Sequence, residues 1–189
     1  MRLAEAHAIQ CRCGQLQGTI AAGAKFTRAV CYCRDCQAFA AALGAPAGML
    51  DAKGGTDVVA TLPRYVSFTA GARRLACLSH SDRGLLRWYA SCCRSPIGNT
   101  PRNPRISYVG LVHSSLGRDP RDLDDAFGPP ELFTFGEHAK EPVPSSGLRT
   151  AAATIQIAFR LLGTQLDGSW RRTPFFDRDL KPVANPHPP

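Results

Sequence analysis

Seven of the eight cysteines in this 189-residue chain occur in three short blocks. Thiolates two or three residues apart cannot all pair as disulfides without strain, but they converge readily on one soft metal ion. The spacing therefore predicts one or two zinc ions. The candidate ligands are Cys11, Cys13, Cys31, Cys33, Cys36, Cys92 and Cys93.

The overall composition is that of one domain with an appended segment. The N-terminus carries Glu5 and His7 and has no apolar run of signal-peptide length. No later stretch approaches the roughly 20 apolar residues that a membrane span needs. We therefore expect a cytoplasmic protein without a membrane partner, in which clustered cysteines bind metal more often than they form disulfides.

The net charge of +8 is concentrated in one part of the chain. Between Arg64 and Arg105 there are eight arginines and one acid, Asp82, and this stretch contains the third cysteine block. A basic stretch beside a metal site indicates an anionic ligand, and we favour a small acid over a nucleic-acid backbone. The alternative interpretation is a solvated, arginine-rich surface.

The hydrophobic pattern predicts a mainly β domain over most of residues 7–135. The connections are too short for crossover helices, so most strand pairs should be antiparallel. One short helix is expected at 35–43, with Gly44 after its end. The strand candidates are 16–20, 26–32, 56–61, 65–69, 74–78, 85–90 and 105–113, with breaks at Pro63, Gly71, Gly84 and Pro96.

The C-terminal part has a different pattern. Apolar residues recur at helical spacing from Ser146, and Gly163 stands where a C-terminal cap is expected. The apolar stripe on one side of this helix should pack on the β domain or, as the alternative, on a second subunit. Its members are Leu148, Ala151, Ala152, Ile155, Ala158, Phe159 and Leu162. Residues 170–189 should be extended and anchored by Phe175 and Phe176, so we divide the chain into 1–142 and 143–189.

The cysteine motifs resemble those of a known family. The sequences CRCG at 11–14, CYCRDC at 31–36 and RWYASCCRSP at 87–96 are similar to those of the glutathione-dependent formaldehyde-activating enzymes, a family that includes the centromere protein V domain. Its motifs read approximately Cys-x-Cys-Gly, Cys-x-Cys-x-x-Cys and aromatic-Cys-x-x-Cys-Gly-Ser-Pro. The resemblance covers roughly residues 7–115.

The resemblance implies an Mss4-like fold of antiparallel sheets with two zinc positions. By position, Cys11, Cys13 and Cys93 would belong to a structural centre. Cys31, Cys33 and Cys36 would form a second centre associated with glutathione adducts.

The third motif departs from the family pattern. The cysteine expected three residues before Cys93 is replaced by Ala90, and Cys92 is an additional cysteine. Neighbouring side chains on extended backbone point to opposite faces, so we favour Cys92 closing the second centre. Alternatively, Cys92 completes the first centre and leaves the second with three cysteines, or it binds no metal.

Two functions follow from these alternatives. A zinc with three protein ligands can activate a thiol at its free position, so an open second centre would fit a carbon–sulfur lyase acting on a small anionic thiol, such as glutathione, or its adduct. Arg87 and Arg94 are the candidate substrate-binding residues. If every zinc is structural, the protein is instead a non-catalytic binding module with a basic surface. An iron–sulfur protein is a third hypothesis. The sequence contains no phosphate loop, nucleophile elbow or zinc-protease motif.

Overall fold

A computed structural model describes residues 1–117, 120–144 and 147–188 and is built mainly from β-strands. This confirms the prediction of a mainly β chain. The described helices are α1 Arg34–Ala42, α2 Pro120–Phe127 and α3 Gly147–Leu166. The described strands are β1 His7–Gln10, β2 Gln17–Ile20, β3 Phe26–Cys31, β4 Thr56–Thr61, β5 Val66–Ala70, β6 Leu75–Leu78, β7 Leu86–Ala90, β8 Ser95–Thr100, β9 Val109–Val112 and β10 Leu132–Thr134.

The strands form two sheets. The smaller sheet has the order β1-β2-β5, and the larger has the order β10-β3-β4-β9-β8-β7-β6. Every pair of named strands is antiparallel except β10 with β3, which run parallel. The expectation of mostly antiparallel pairing is therefore confirmed, and the short connections are its physical reason.

One face of the seven-stranded sheet carries the main hydrophobic core. Phe26, Val59, Trp88 and Leu111 point to this side and are almost completely buried. The Trp88 indole donates a hydrogen bond of 2.9 Å to the hydroxyl of Thr100, so its one polar atom is satisfied within the core. Alternation along each strand sends the intervening residues to the opposite face of the sheet.

The opposite face is partly covered by α1. Cys33 caps this helix by accepting a hydrogen bond from the backbone N–H of Cys36, and Gly44 follows its end with a φ of +81°. Phe39 and Leu43 then pack with Val58 and other apolar residues of the sheet. The predicted helix at 35–43 is thus confirmed to within one residue at each end.

The helix α3 does not bury the predicted stripe. Ile155, Phe159, Leu162 and Leu166 are 56%, 70%, 55% and 82% exposed, whereas Ile157, Leu161 and Thr164 are at least partly buried. The helix is apolar on more than one face, so periodicity could not identify which face packs on the sheet. Burial of the exposed stripe against another subunit stays a prediction. Ser146 and the Leu148 side chain lie outside the described residues.

Two boundaries also differ from expectation. Gly163 is expected from the sequence to end the C-terminal helix, but α3 continues through it to Leu166. Separately, no described helix is long and apolar enough to cross a bilayer. Pro96, expected to break a strand, lies within β8 opposite Tyr89, next to a register shift in the β7–β8 pair. A sheet tolerates proline at such an irregularity because no regular ladder bond needs its missing N–H.

The C-terminal tail is anchored by its aromatic pair, as predicted. Phe175 and Phe176 are buried with ring centroids 5.3 Å and 6.4 Å from that of Trp88. Beyond them, the backbone of His187 forms an isolated bridge with Leu78 at the outer edge of β6. The tail therefore contributes to the main core of the β domain.

We predict that Phe175→Ala lowers the free energy of unfolding by about 3–5 kcal/mol, because it removes a fully buried ring from the core. Urea denaturation followed by circular dichroism measures this change. Phe159→Ala is the matched control, and its effect should stay within about 0.5 kcal/mol because Phe159 is exposed. An equally large effect at Phe159 would contradict the described packing of α3.

Candidate metal centres

The first cysteine block lies at the turn from β1 to β2. Cys11 follows β1 directly, and the N–H of Gly14 donates to the Cys11 carbonyl at 2.9 Å. Gly14 has a φ of +76°, so glycine allows the chain to reverse immediately after Cys13. The N–H of Leu16 donates to the Cys11 sulfur at 3.3 Å. The turn thus presents both sulfurs of this block on one side.

The third block lies at the turn from β7 to β8. The carbonyl of Ala90 accepts from the N–H of Cys93 at 3.4 Å and from that of Arg94 at 2.8 Å. Arg94 has a φ of +56°, in the left-handed region. Cys92 and Cys93 therefore belong to a tight turn and not to an extended strand.

These two turns bring four sulfurs together. The Cys11–Cys13, Cys11–Cys92, Cys13–Cys92 and Cys92–Cys93 sulfur separations are 3.6, 3.8, 3.4 and 3.9 Å. A tetrahedral zinc with bonds of about 2.3 Å requires sulfurs about 3.8 Å apart, whereas a disulfide requires about 2.05 Å. The group can therefore hold one metal ion with four cysteine ligands.

The expectation that Cys92 closes the second centre is wrong. Its sulfur lies with those of Cys11 and Cys13. Side chains alternate between opposite faces only on extended backbone. Cys92 and Cys93 lie in a turn, which can direct two neighbouring side chains toward the same point. Cys92 therefore belongs to the group of four, and Ala90 is fully buried in the core.

The second block forms a separate group at the junction of β3 and α1. Cys31 ends β3, Cys33 is the N-cap of α1, and Cys36 lies in its first turn. Their three sulfurs all lie within 4.8 Å of one another, and among the described residues no histidine, cysteine or carboxylate joins them as a fourth ligand. Hydrogen bonds from Cys31 and Cys36 lower the pKa of the Cys33 thiol, and the charge of Arg87 lowers it further. Cys33 therefore favours the thiolate form that binds metals.

Arg87 provides a buried positive charge beside this triad. Its side chain is 3% exposed and donates to the Cys36 sulfur at 3.4 Å, and it lies 3.8 Å from the carboxylate of Asp35. Burial lowers the pKa of Arg87, but its interactions with Cys36, Cys33 and Asp35 outweigh burial and raise the pKa overall. Three thiolates and a divalent ion carry one net negative charge, which a cation at this position offsets.

The triad opens into a cavity of about 560 Å³ on the face of the sheet that α1 partly covers. Ile157 of α3 contributes to its wall. Arg34 lies at the cavity and is exposed. The groups around it that could meet a ligand include Arg87, Asn99, Tyr108 and His138. The space can thus admit a small molecule directly beside the three cysteines.

Tyr108 and Asn99 are two cavity residues that sequence reasoning did not identify. Burial, together with the negative charge of Cys31 and Cys36, raises the pKa of Tyr108 to about 12. Its hydroxyl therefore remains a hydrogen-bond donor at neutral pH. Neither residue belongs to a motif, and only the cross-strand register places them near the cysteines.

The other predicted residues lie elsewhere. Arg94 is exposed at the first centre, where its guanidinium donates to the carbonyl of Ala42, and it does not line the cavity of the triad. The structure therefore brings Arg87, and not Arg94, to the second cysteine group. Cys77 is fully buried in the main core, as expected for an inert cysteine.

Comparison with known proteins places this chain in a family. No curated protein matches it. A crystal structure of a Rhodobacter sphaeroides protein, a Northeast Structural Genomics target, matches with 18% identity and a TM-score of 0.46, over 67% of this chain and 99% of the other. The model of a family described as "Family of unknown function (DUF6151)" matches residues 3–186. The chain belongs to this DUF6151 family.

Proposed function

We propose that this protein binds two zinc ions, one structural and one open to a small thiol. Cys11, Cys13, Cys92 and Cys93 would hold the structural ion, and Cys31, Cys33 and Cys36 would hold the open one. The observation that carries this proposal is the division of the cysteines into a group of four and a group of three. Only the group of three borders the cavity beside Arg87.

The donor sets fit zinc. Structural zinc sites are commonly tetrahedral with cysteine ligands, and sites with three protein ligands leave one exchangeable position. When bound to the triad, zinc would supply a position at which a thiol is held as its thiolate. Arg87 would balance the negative charge of the three cysteines, and the apolar wall formed by Ile157 and its neighbours would limit access of water.

The reaction that this arrangement supports best is carbon–sulfur cleavage or formation in a thiol adduct of an aldehyde. Cleavage moves the electron pair of the C–S bond onto sulfur, turns the adduct's hydroxyl into a carbonyl and releases the hydroxyl proton. The products are a thiol and an aldehyde, and no oxidant is needed. The motif resemblance to glutathione-dependent formaldehyde-activating enzymes supports this class, and we propose that the chain is a divergent relative of that family with an Mss4-like fold.

A small anionic thiol such as glutathione, or its adduct, is the ligand class that the resemblance favours. The cationic side chains at the cavity are Arg34, which is exposed, and Arg87, which is buried against the triad. Arg34 can therefore meet a carboxylate at the solvent side, while Arg87 acts on the sulfur side.

The second candidate function is a non-catalytic zinc-stabilised binding module. One observation favours it: the exposed apolar stripe of Ile155, Phe159, Leu162 and Leu166 on α3. A surface of this kind is typical of protein contacts. The two functions differ in whether the triad exchanges a ligand, so the same measurements decide between them.

We predict about two zinc ions per chain in the purified protein and about one in the variants Cys92→Ser and Cys33→Ser, measured by mass spectrometry of the metal. Cys92→Ser should also destabilise the fold strongly, because its cluster joins two turns from different sheets. Cys77→Ala is the control and should keep both ions, since Cys77 belongs to neither cysteine group. Retention of two ions by Cys92→Ser would contradict the four-cysteine centre.

We predict that the protein accelerates exchange between glutathione and its formaldehyde adduct, measured by exchange NMR spectroscopy. Cys33→Ser should reduce the rate to that without protein, because the open centre is lost, whereas Cys77→Ala should retain it. If the protein folds with two zinc ions but leaves the exchange rate unchanged, the lyase function is wrong. If, in addition, no thiol binds to the triad, the result favours the binding module over the lyase.

A further inference from the structure

Two polar side chains of the cavity lack hydrogen-bond partners. Asn99 is 6% exposed, yet among the described residues no group donates to or accepts from its side-chain amide. The hydroxyl of Tyr108 likewise has no partner within the described part of the chain. Tyr108 is half-buried, and both side chains line the cavity, so their polar groups are available to a molecule that enters it.

The two groups converge on one point above Gly110. A methyl group placed on the Cα of Gly110 would lie 2.9 Å from the Tyr108 hydroxyl oxygen and 3.2 Å from the Asn99 carbonyl oxygen. Both polar atoms are therefore within reach of a single small group. A side chain at residue 110 would crowd these atoms, so glycine allows the Tyr108 hydroxyl and the Asn99 amide to lie this close to the strand.

The register of the sheet explains this space. Cross-strand pairing aligns one row of five residues over five neighbouring strands. The residues of this row, in order, are Thr27, Ala60, Gly110, Asn99 and Arg87. Its second and third members are small and lie between Thr27 on one side and Asn99 on the other. Ala60, which lines the cavity, gives it a low floor. Ala29, on the same face, extends this floor toward Cys31 at the end of β3.

The polar pair lies beside the cysteine triad. Arg87 is the cross-strand neighbour of Asn99, and its guanidinium is 3.4 Å from the Cys36 sulfur. Tyr108 is close enough to the triad that the charges of Cys31 and Cys36 act on its hydroxyl. A short molecule with its sulfur at the triad can thus place an oxygen near Asn99 and Tyr108.

We propose that Asn99 and Tyr108 bind the oxygen of the thiol adduct and so select ligands with an oxygen a few atoms from the sulfur; this rests on the proposed function of the triad. The Asn99 carbonyl accepts a hydrogen bond from the ligand's hydroxyl, and the Tyr108 hydroxyl donates one to the same oxygen. The carbon skeleton lies on the floor formed by Ala29 and Ala60. Asn99 and Tyr108 are specificity-determining residues, and neither needs to change its protonation state.

The test uses the cobalt-substituted full chain and two thiols of equal size, 2-mercaptoethanol and 1-propanethiol. These differ by a hydroxyl in place of a methyl group. Absorption from sulfur-to-cobalt charge transfer gives the dissociation constant of each thiol, and metal analysis after each titration confirms that cobalt is retained. The protein should bind 2-mercaptoethanol on the order of tenfold more tightly, as expected for one net hydrogen bond near the upper end of the usual range.

Three variants and one control make the test specific. Tyr108→Phe and Asn99→Leu should bind the two thiols with nearly equal affinity and leave 1-propanethiol binding unchanged within about twofold. Asn99→Leu should also unfold at an equal or higher urea concentration, because an apolar side chain replaces an amide that has no hydrogen-bond partner in the described part of the chain. Gly110→Ala should lose the preference as well, since its methyl group displaces the Tyr108 hydroxyl. Tyr89→Phe, which loses a hydroxyl that contacts the tail residue His187, should keep the full preference.

The outcomes separate this proposal from the proposed function. The role of the polar pair is overturned if the unmodified protein binds both thiols equally, or if Tyr108→Phe and Asn99→Leu keep the preference. Either result leaves the proposal of an open metal centre intact. If neither thiol alters the cobalt spectrum, the open centre itself is wrong. A fall in affinity for both thiols in Tyr108→Phe would show a general structural role and would also overturn the proposal.

Discussion

Two turns meet at one group of four cysteines, and the rest of the structure depends on this constraint. Cys11 and Cys13 come from the three-stranded sheet, whereas Cys92 and Cys93 come from the seven-stranded sheet. Few backbone hydrogen bonds link such separate sheets, so a metal held between them would fix their relative position. The strands that begin at these turns then run directly into the core around Trp88.

Because Cys92 lies in the group of four, the second cysteine group contains three members. Among the described residues, Cys31, Cys33 and Cys36 form a group of three possible metal ligands, next to a buried cation and a cavity. Burying Arg87 is unfavourable unless its charge is offset, and the thiolates provide that compensation. The triad and the arginine therefore stabilise each other, and neither would be expected in this environment alone.

The cavity is a property of the sheet. Ala60 leaves space where a larger side chain would pack, and the Asn99 amide has no hydrogen-bond partner among the described residues. Both features reduce the stability that this face could have contributed through buried apolar area. A loss of stability of this kind is typical of binding surfaces, where function competes with packing.

The sequence by itself determined the mainly β class, the helix after Cys33, the anchoring of Phe175 and Phe176, and the seven cysteines able to bind metal, because each depends on local spacing. It did not identify β8, since Pro96 is tolerated only at an irregularity formed by two strands. It also could not show which face of α3 packs inward. Tertiary structure alone decided the division into four and three cysteines and the placement of Asn99 and Tyr108. Both results follow from turn geometry and from strand register, which bring together residues that are far apart along the chain.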